Sequence, residues 1–510
     1  MPLSHLYSGT CLGLTALLVD IEVDITRGEK PALVIVGLPD AAVREAKDRV
    51  LTAVKNFGVD TSCLVGTINL APADLKKEGS LYDLPIAIGC LRSLGTLQTD
   101  KYQDYLITGE LGLGGEVRMV TGALPLAMLA KSCGKKGVIV PDGNFQEASL
   151  VPGIEVIAVK TLRETVQFLN NAVMPQRKPA IAEKERQAAL PVVDFSDIQG
   201  QAQGRRAMEI AAAGNHNILL SGPPGTGKSL MAKALAGILP QLEFDEALEV
   251  TNIYSIAGLT QEITHLKHEP PFRSPHHTVS YAGLIGGGAT PRPGEVALAH
   301  RGVLFLDELP EFSRQALEAL REPLEERKIT ISRSLGTATF PANFIFVAAM
   351  NPCPCGYLGH PDKACRDTPM QIDRYQHKIS GPLLDRIDIR VTMSVMRASE
   401  ITHAAQESSQ AIRQRVIEAR KRQEARFGKG KGKGKEKGKT NSEMTAREIQ
   451  QYFPITAPIK AIIDGAVDSM NLSMRAYFRT LRVAATIADL AHSDTIEEEH
   501  LLEALSYRSA

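Results

Sequence analysis

Gly222-Pro223-Pro224-Gly225-Thr226-Gly227-Lys228-Ser229 follows the apolar run Asn217–Leu220 and precedes Leu230–Ala236, a stretch of good helix formers. Strand, glycine-rich loop and helix form the context in which this spacing cradles phosphate. Glycine lets successive backbone N–H groups turn inward around phosphate oxygens, and the helix N-terminus adds the positive end of its dipole. In that reading Lys228 reaches the β- and γ-phosphates of ATP, and Ser229 holds Mg²⁺. The plain alternative is a Gly/Pro turn before an ordinary helix.

Two further apolar runs support the phosphate reading. Val303-Leu304-Phe305-Leu306 is followed by Asp307 and Glu308, so a buried strand delivers two carboxylates at its C-terminal end. Asp307 suits the Mg²⁺ shell and Glu308 suits a base that orients and activates water. Phe344–Met350 is a third buried strand, and it ends on a polar residue, Asn351. Between the first two runs lies PFRSPHHTVSYAGLIGGGATPRPGE, too irregular for a simple turn, which predicts an inserted mobile loop. His276 and His277 in it have no carboxylate or cysteine at ligand spacing nearby, so a hydrogen-bonding or substrate-facing role is expected. After the carboxylates, SRQALEALREPLEERK predicts one helix and ITISRSLGTATF predicts a β-hairpin broken at Gly336, with Arg327, Lys328 and Arg333 placing positive charge on it.

The chain has 510 residues, enough for several domains, with an ordinary hydrophobic fraction of 44%. Its 58 basic and 58 acidic residues cancel, so nucleic acid can be attracted only by local patches. There is no run long enough to span a membrane and no basic, cleavable leader, and the scattered cysteines read as reduced; together these predict a cytoplasmic protein. Residues 1–170 alternate short strands with helices, including a helix over AAVREAKDRVLTAVKNF closed by Gly58, and read as an α+β domain without a phosphate loop. Residues 171–195 carry prolines and mixed charge and read as a linker. Residues 196–395 hold the P-loop α/β core, and 396–510 a helical lid. Within the lid, 428–440 is a Gly/Lys insert that cannot bury surface and reads as disordered. Arg420 to Lys439 contains ten basic and two acidic residues, fit either for nonspecific phosphate binding or for a solvated loop.

KKEGSLYDLPIAIG, GELGLGGEVRMVTGALPLAMLA and GKKGVIVPDGN resemble, in the same order, the proteolytic domain of Lon-type proteases, a ribosomal S5 domain 2-like fold. The resemblance puts Leu81 at the nucleophile's place, with Ser80 one position early, and Leu124 and Pro125 at the place of the lysine; no lysine occurs between Arg118 and Lys131. It implies the fold without the catalytic dyad.

VGLPDAAVREAKDRV, PFRSPHHTVSYAGLIGGG, GVLFLDELPEF, AAMNPCPCGYLG, RYQHKISGPLLDRIDI and LSMRAYFRTLRVAATIADL resemble the YifB/ComM family of magnesium-chelatase-like AAA+ ATPases over nearly the whole chain. That resemblance implies a hexameric ring that binds ATP and drives branch migration of recombining DNA in natural transformation. The inserted segment and the later hairpin would face DNA in the pore. It makes Asn351 the sensor-1 group, Arg386 an arginine finger reaching a neighbour's ATP, and Arg475 a sensor-2 residue of the lid. The residues around Arg386 also allow a plain ion pair with Asp385 or Asp388. Cys353, Cys355 and Cys365 resemble three ligands of a zinc knuckle whose usual fourth cysteine is Asp367 here; Asp367, His360 or no residue would complete the set, so zinc and reduced loop cysteines both stay open. The rival functions are a magnesium chelatase-type ATPase subunit and an AAA+ protease or adaptor.

Overall fold

The computed structural model describes residues 3–75, 77, 79–172, 193–259, 265–288, 291–333, 336–395, 406–428, 438–470 and 472–508. Most of the expected linker, residues 396–405 at the start of the expected lid and most of the Gly/Lys insert lie outside these residues.

The N-terminal sheet has seven strands, in the order β3-β4-β2-β1-β5-β8-β9. They are β1 (Ser4–Leu12), β2 (Thr15–Arg27), β3 (Ala32–Val36), β4 (Leu64–Ala71), β5 (Tyr105–Ile107), β8 (Gly137–Pro141) and β9 (Glu155–Val159), while β6 (Glu110–Leu111) and β7 (Val117–Arg118) form a separate hairpin. The long antiparallel pair β1–β2 was not read from the sequence, although TALLVDIEVDITR alternates as a half-buried strand should. The helix Ala41–Phe57 follows the expectation: Asp40 accepts from Val43 N–H at its start, and Gly58 closes it at φ 112°.

The second sheet is entirely parallel, in the order β11-β14-β17-β10-β18. Its strands are β10 (Ile218–Ser221), β11 (Phe272–Arg273), β14 (Val303–Leu306), β17 (Ile345–Met350) and β18 (Ile389–Thr392). Both faces are covered, which is why these strands read as continuous apolar runs. Alternate residues enter opposite layers: Ile218, Leu220, Phe305 and Val347 pack with the C-terminal helices Ser409–Phe427 and Met474–Leu490. Leu219, Leu304, Leu306 and Phe346 pack with the helices before and after β14.

Two hairpins leave this sheet. In the inserted passage, the helix Tyr281–Ile285, capped by Ser280, leads into β12 (Gly286–Gly287) and β13 (Arg292–Pro293). The second is β15 (Lys328–Arg333) with β16 (Gly336–Pro341). Gly336 begins β16 rather than breaking the run. Arg327 turns inward, donating to Asn343 Oδ1 at 3.0 Å and to Ser442 Oγ at 3.1 Å, and so adds no charge to the hairpin; Lys328 and Arg333 are exposed. The single helix expected before β15 is two, Arg314–Ala319 and Arg321–Glu326. Pro323 has no N–H for the Ala319 carbonyl, and Leu320 tightens onto Leu317 instead. The helix Phe244–Ile256, unremarked in the sequence, meets the N-terminal unit: Asn252 donates to the Leu14 carbonyl at 3.2 Å and Ser255 to the buried Glu147 carboxylate. No helix among the described residues is long and apolar enough to cross a membrane.

Candidate nucleotide-binding site

The loop 222–229 connects β10, which lies between β17 and the edge strand β18 of the parallel sheet, to the helix Lys228–Ile238. The C-terminal ends of the flanking strands converge there, which is where open α/β sheets place ligands. Gly225 and Gly227 stand at φ 82° and 87°, a region that side chains rarely enter, with open space where a Cβ would point. Lys228 is buried beneath the loop. Its Nζ donates to the carbonyls of Gly222 and Pro223 at 2.7 and 2.9 Å and to Asn351 Oδ1 at 3.2 Å. Burial lowers its pKa, opposed by the charge of Asp307. Thr226 braces the loop by donating to the Pro223 carbonyl at 2.9 Å.

Ser229 Oγ donates to Asp307 Oδ2 at 2.6 Å. The hydroxyl and the carboxylate are hard oxygen donors side by side at the strand ends, a donor set that suits Mg²⁺. Glu308 follows with a left-handed backbone (φ 53°) and an open side chain. Its Oε2 lies 3.3 Å from Nδ1 of His277, in the inserted passage. The sequence did not link these two residues: the link depends on β11 lying beside β14. Lys228, Ser229, Asp307, Glu308 and Asn351 are thus brought together.

Arg386 and Arg475 are not part of this cluster. Arg386 is buried, paired with the Glu325 carboxylate and donating to the Pro382 carbonyl at 2.8 Å. Neither of the pairings weighed for it, with Asp385 or Asp388, is the one observed. Asp388 instead faces Arg479 at 3.3 Å and His216 at 3.5 Å. Arg475 is exposed on the first turn of the helix Met474–Leu490.

Cys353, Cys355, Cys365 and Asp367 gather directly after Asn351, with one ligand atom from each within 4.8 Å of the others. The sulfur separations are 3.4, 3.6 and 3.7 Å. Tetrahedral zinc–thiolate bonds would set sulfurs about 3.8 Å apart, so the cluster can hold such a metal. The cysteine loop also touches the phosphate loop: a Cβ at Gly356 would come within 2.9 Å of Pro224 Cδ.

In the N-terminal unit, Ser80 Oγ meets the Glu110 carboxylate rather than an amine, and Lys77 donates to the Pro72 carbonyl. Leu124 and Pro125 are buried in the helix Ala123–Ser132. Ser80 and Glu110 line a cavity of about 500 Å³ that Ile256 and Arg292 of the second unit also line.

Three family models cover most of the chain: magnesium chelatase, subunit ChlI, over residues 194–401; subunit ChlI of Mg-chelatase over 21–144; and the ChlI C-terminal region over 406–508. The uncharacterized protein YifB of Escherichia coli is 42% identical over 512 residues, covering 100% of this chain and 97% of that protein. The competence protein ComM of Haemophilus influenzae is 40% identical over 517 residues, covering 100% and 98%. Lon protease 2 of Bacillus subtilis is 29% identical over 148 residues, 26% of each chain. The nucleotide-loop geometry, the α+β unit ahead of it and full-length identity to these relatives agree: the chain belongs to the YifB/ComM family of magnesium-chelatase-like AAA+ ATPases.

Proposed function

We propose that this chain is an ATP-hydrolysing ring motor that moves DNA, a hexameric helicase or branch-migration translocase acting in the cytoplasm on incoming DNA in natural transformation. The observation that carries the ATP half is the contact of Ser229 with Asp307 beside Lys228. The glycine loop would take the phosphates, with the Lys228 ammonium exchanging its loop carbonyls for phosphate oxygens. Ser229 and Asp307 would hold Mg²⁺, which supplies charge neutralisation to the triphosphate. Glu308 would accept the proton of the attacking water, and Asn351 would hold that water and the γ-phosphate. Arg386 of a neighbouring subunit would stabilise the transition-state charge, and Arg475 would meet the nucleotide from the lid.

The DNA half is supported by the two hairpins and by a relative named for competence. A Cβ on Gly287 would lie 3.5 Å from Arg333 Nη2, so the hairpins lie together, and Arg292, Lys328 and Arg333 are exposed on them. Such charges contact phosphates and not base edges, so binding is expected to be tolerant of sequence and sensitive to salt. The decisive experiment is ATP-dependent migration of a synthetic four-way junction by the purified protein, with Glu308→Gln as control. Failure of the wild type to move the junction would overturn the DNA reading. ATPase stimulation by a porphyrin-loaded partner, and not by DNA, would favour a chelatase-type subunit instead.

The cysteine cluster favours a second, structural reading. Cys353, Cys355, Cys365 and Asp367 would hold zinc, stiffening the loop between Asn351 and Pro224.

A further inference from the structure

The seven-stranded sheet of the N-terminal unit buries one face. Leu6 of β1 and Ile21 and Val23 of β2 enter the core against the helices Ala41–Phe57 and Asp83–Ser93. Side chains alternate along a strand, so His5, Asp20 and Glu22 point the other way. In the antiparallel register His5 stands directly opposite Glu22, and Asp20 lies two residues from Glu22 on the same face. One donor atom from each of the three lies within 4.8 Å of the other two.

His5 Nδ1 is 3.9 Å from Asp20 Oδ1 and 3.8 Å from Glu22 Oε1. Both separations are too long for hydrogen bonds. They suit two ligands of one ion. Bonds of about 2.1 Å put donors about 3.4 Å apart at a tetrahedral angle and about 4.2 Å apart when opposed. Asp20 Oδ1 is shut off from solvent and accepts no hydrogen bond from the described residues. Burial raises the pKa of this carboxyl; His5, when protonated, and Lys135 oppose that, and the Glu22 carboxylate adds to it. Lys135 does not take the oxygen: its Nζ donates to the Gln103 carbonyl at 2.9 Å and lies over the Tyr7 ring. Glu22 is already aimed. Asn69, opposite it on β4, donates to Oε2 at 2.8 Å and leaves Oε1 turned towards His5.

We infer that His5, Asp20 and Glu22 form a binding site for a first-row divalent transition cation such as zinc, separate from the nucleotide site and from the cysteine cluster. A neutral imidazole and two carboxylates supply three N/O ligands and two negative charges, the softer nitrogen selecting against Mg²⁺ and Ca²⁺, which take oxygen shells. The three side chains are 31–39% exposed, so water completes the coordination. The ion joins β1 to β2 across the open face and stabilises the folded unit by mass action.

The test is Co²⁺ binding by chelator-treated full-length protein, counted by equilibrium dialysis in excess Mg²⁺, which fills the oxygen donors of the nucleotide site. Cobalt on the cysteine cluster declares itself by thiolate-to-metal charge-transfer absorption; cobalt on His5, Asp20 and Glu22 has no such band. The wild type should bind a single Co²⁺ beyond those that the band accounts for. His5→Ala and Asp20→Asn should each weaken that binding by about tenfold or more, and Asn69→Ala by about tenfold. Asp24→Asn, a charge farther along the same face, should leave it unchanged, and far-UV circular dichroism of the metal-free variants should match wild type. No Co²⁺ beyond the thiolate-bound ion overturns the site. So does His5→Ala that binds as wild type does, or Asp24→Asn that weakens binding as much as Asp20→Asn, the mark of a diffuse acidic face.

Discussion

Ser229 Oγ and Asp307 Oδ2 sit 2.6 Å apart although 78 positions separate them in the chain. The first opens the helix after β10 and the second ends β14, and β17 lies between those strands. The contact is therefore a product of the parallel sheet as a whole. Removing either partner should leave the fold intact and remove the Mg²⁺ response. Asp307→Asn is expected to lower ATP turnover by about 100-fold or more, and Lys228→Ala to do the same, the range seen when one preorganised charge is lost. Turnover measured against Mg²⁺ concentration checks this. Asp307→Asn with wild-type Mg²⁺ dependence would contradict the assignment.

The cysteine cluster makes a separate prediction. The full-length protein purified without chelator should release about one zinc per chain on thiol modification. Asp367→Cys should retain the metal and Asp367→Ala should bind it more weakly. Because Gly356 abuts Pro224, stripping the metal should also weaken ATP binding, measured with a fluorescent nucleotide. Protein that carries no zinc, and binds none when titrated, would refute the metal.

Much of this site was legible because each piece is a buried strand that ends on a polar residue. Leu220 before the glycine loop, Leu306 before Asp307 and Met350 before Asn351 follow one rule, and apolar runs in parallel sheets are easily read. The hairpin β15–β16 was visible from its alternation. What escaped depends on which strands are neighbours. The contact of His277 with Glu308 needs β11 beside β14, and the pairing of Arg386 with Glu325 joins residues 61 positions apart. Pro323 was a signal in plain view that the long helix would break.

Asp388 gives a stability prediction with a definite sign. Burial alone would raise the pKa of its carboxyl, but the charge of Arg479, the imidazole of His216 at 3.5 Å and the charge of Arg508 hold it well below the usual carboxylate range. It also accepts from Asn217 N–H at 3.1 Å, at the entry to β10. A carboxyl held low in the fold stabilises it fully above the unfolded value, about pH 4, and loses that contribution as pH falls towards the folded value. Asp388→Asn leaves Arg479 and Arg508 without their anion and should cost about 3–5 kcal/mol at neutral pH. The difference from wild type should shrink below about pH 4. Denaturant unfolding across pH checks both; a constant gap between the two proteins would exclude the linkage.

Arg386 poses the sharpest test of the ring. In the single chain its guanidinium is buried against Glu325, with Nε unpartnered, and Arg386 precedes β18 at the end of the sheet where β10 begins, whereas the phosphate loop follows the other end of β10. If it acts across a subunit boundary, assembly must draw it away from Glu325. Two consequences follow. Arg386→Ala should lower ATP turnover by about 10³-fold while leaving ATP binding near wild type. Glu325→Ala should free the guanidinium and leave turnover equal or higher. Mixing separates a neighbour's arginine from a structural one: Arg386→Ala and Lys228→Ala subunits, each inactive alone, should recover part of the activity when combined. In mixed rings an intact phosphate loop then meets an intact arginine from next door. Mixtures that stay inactive, with rings still formed, would place Arg386 in the fold of its own subunit and leave the transition state to another cation.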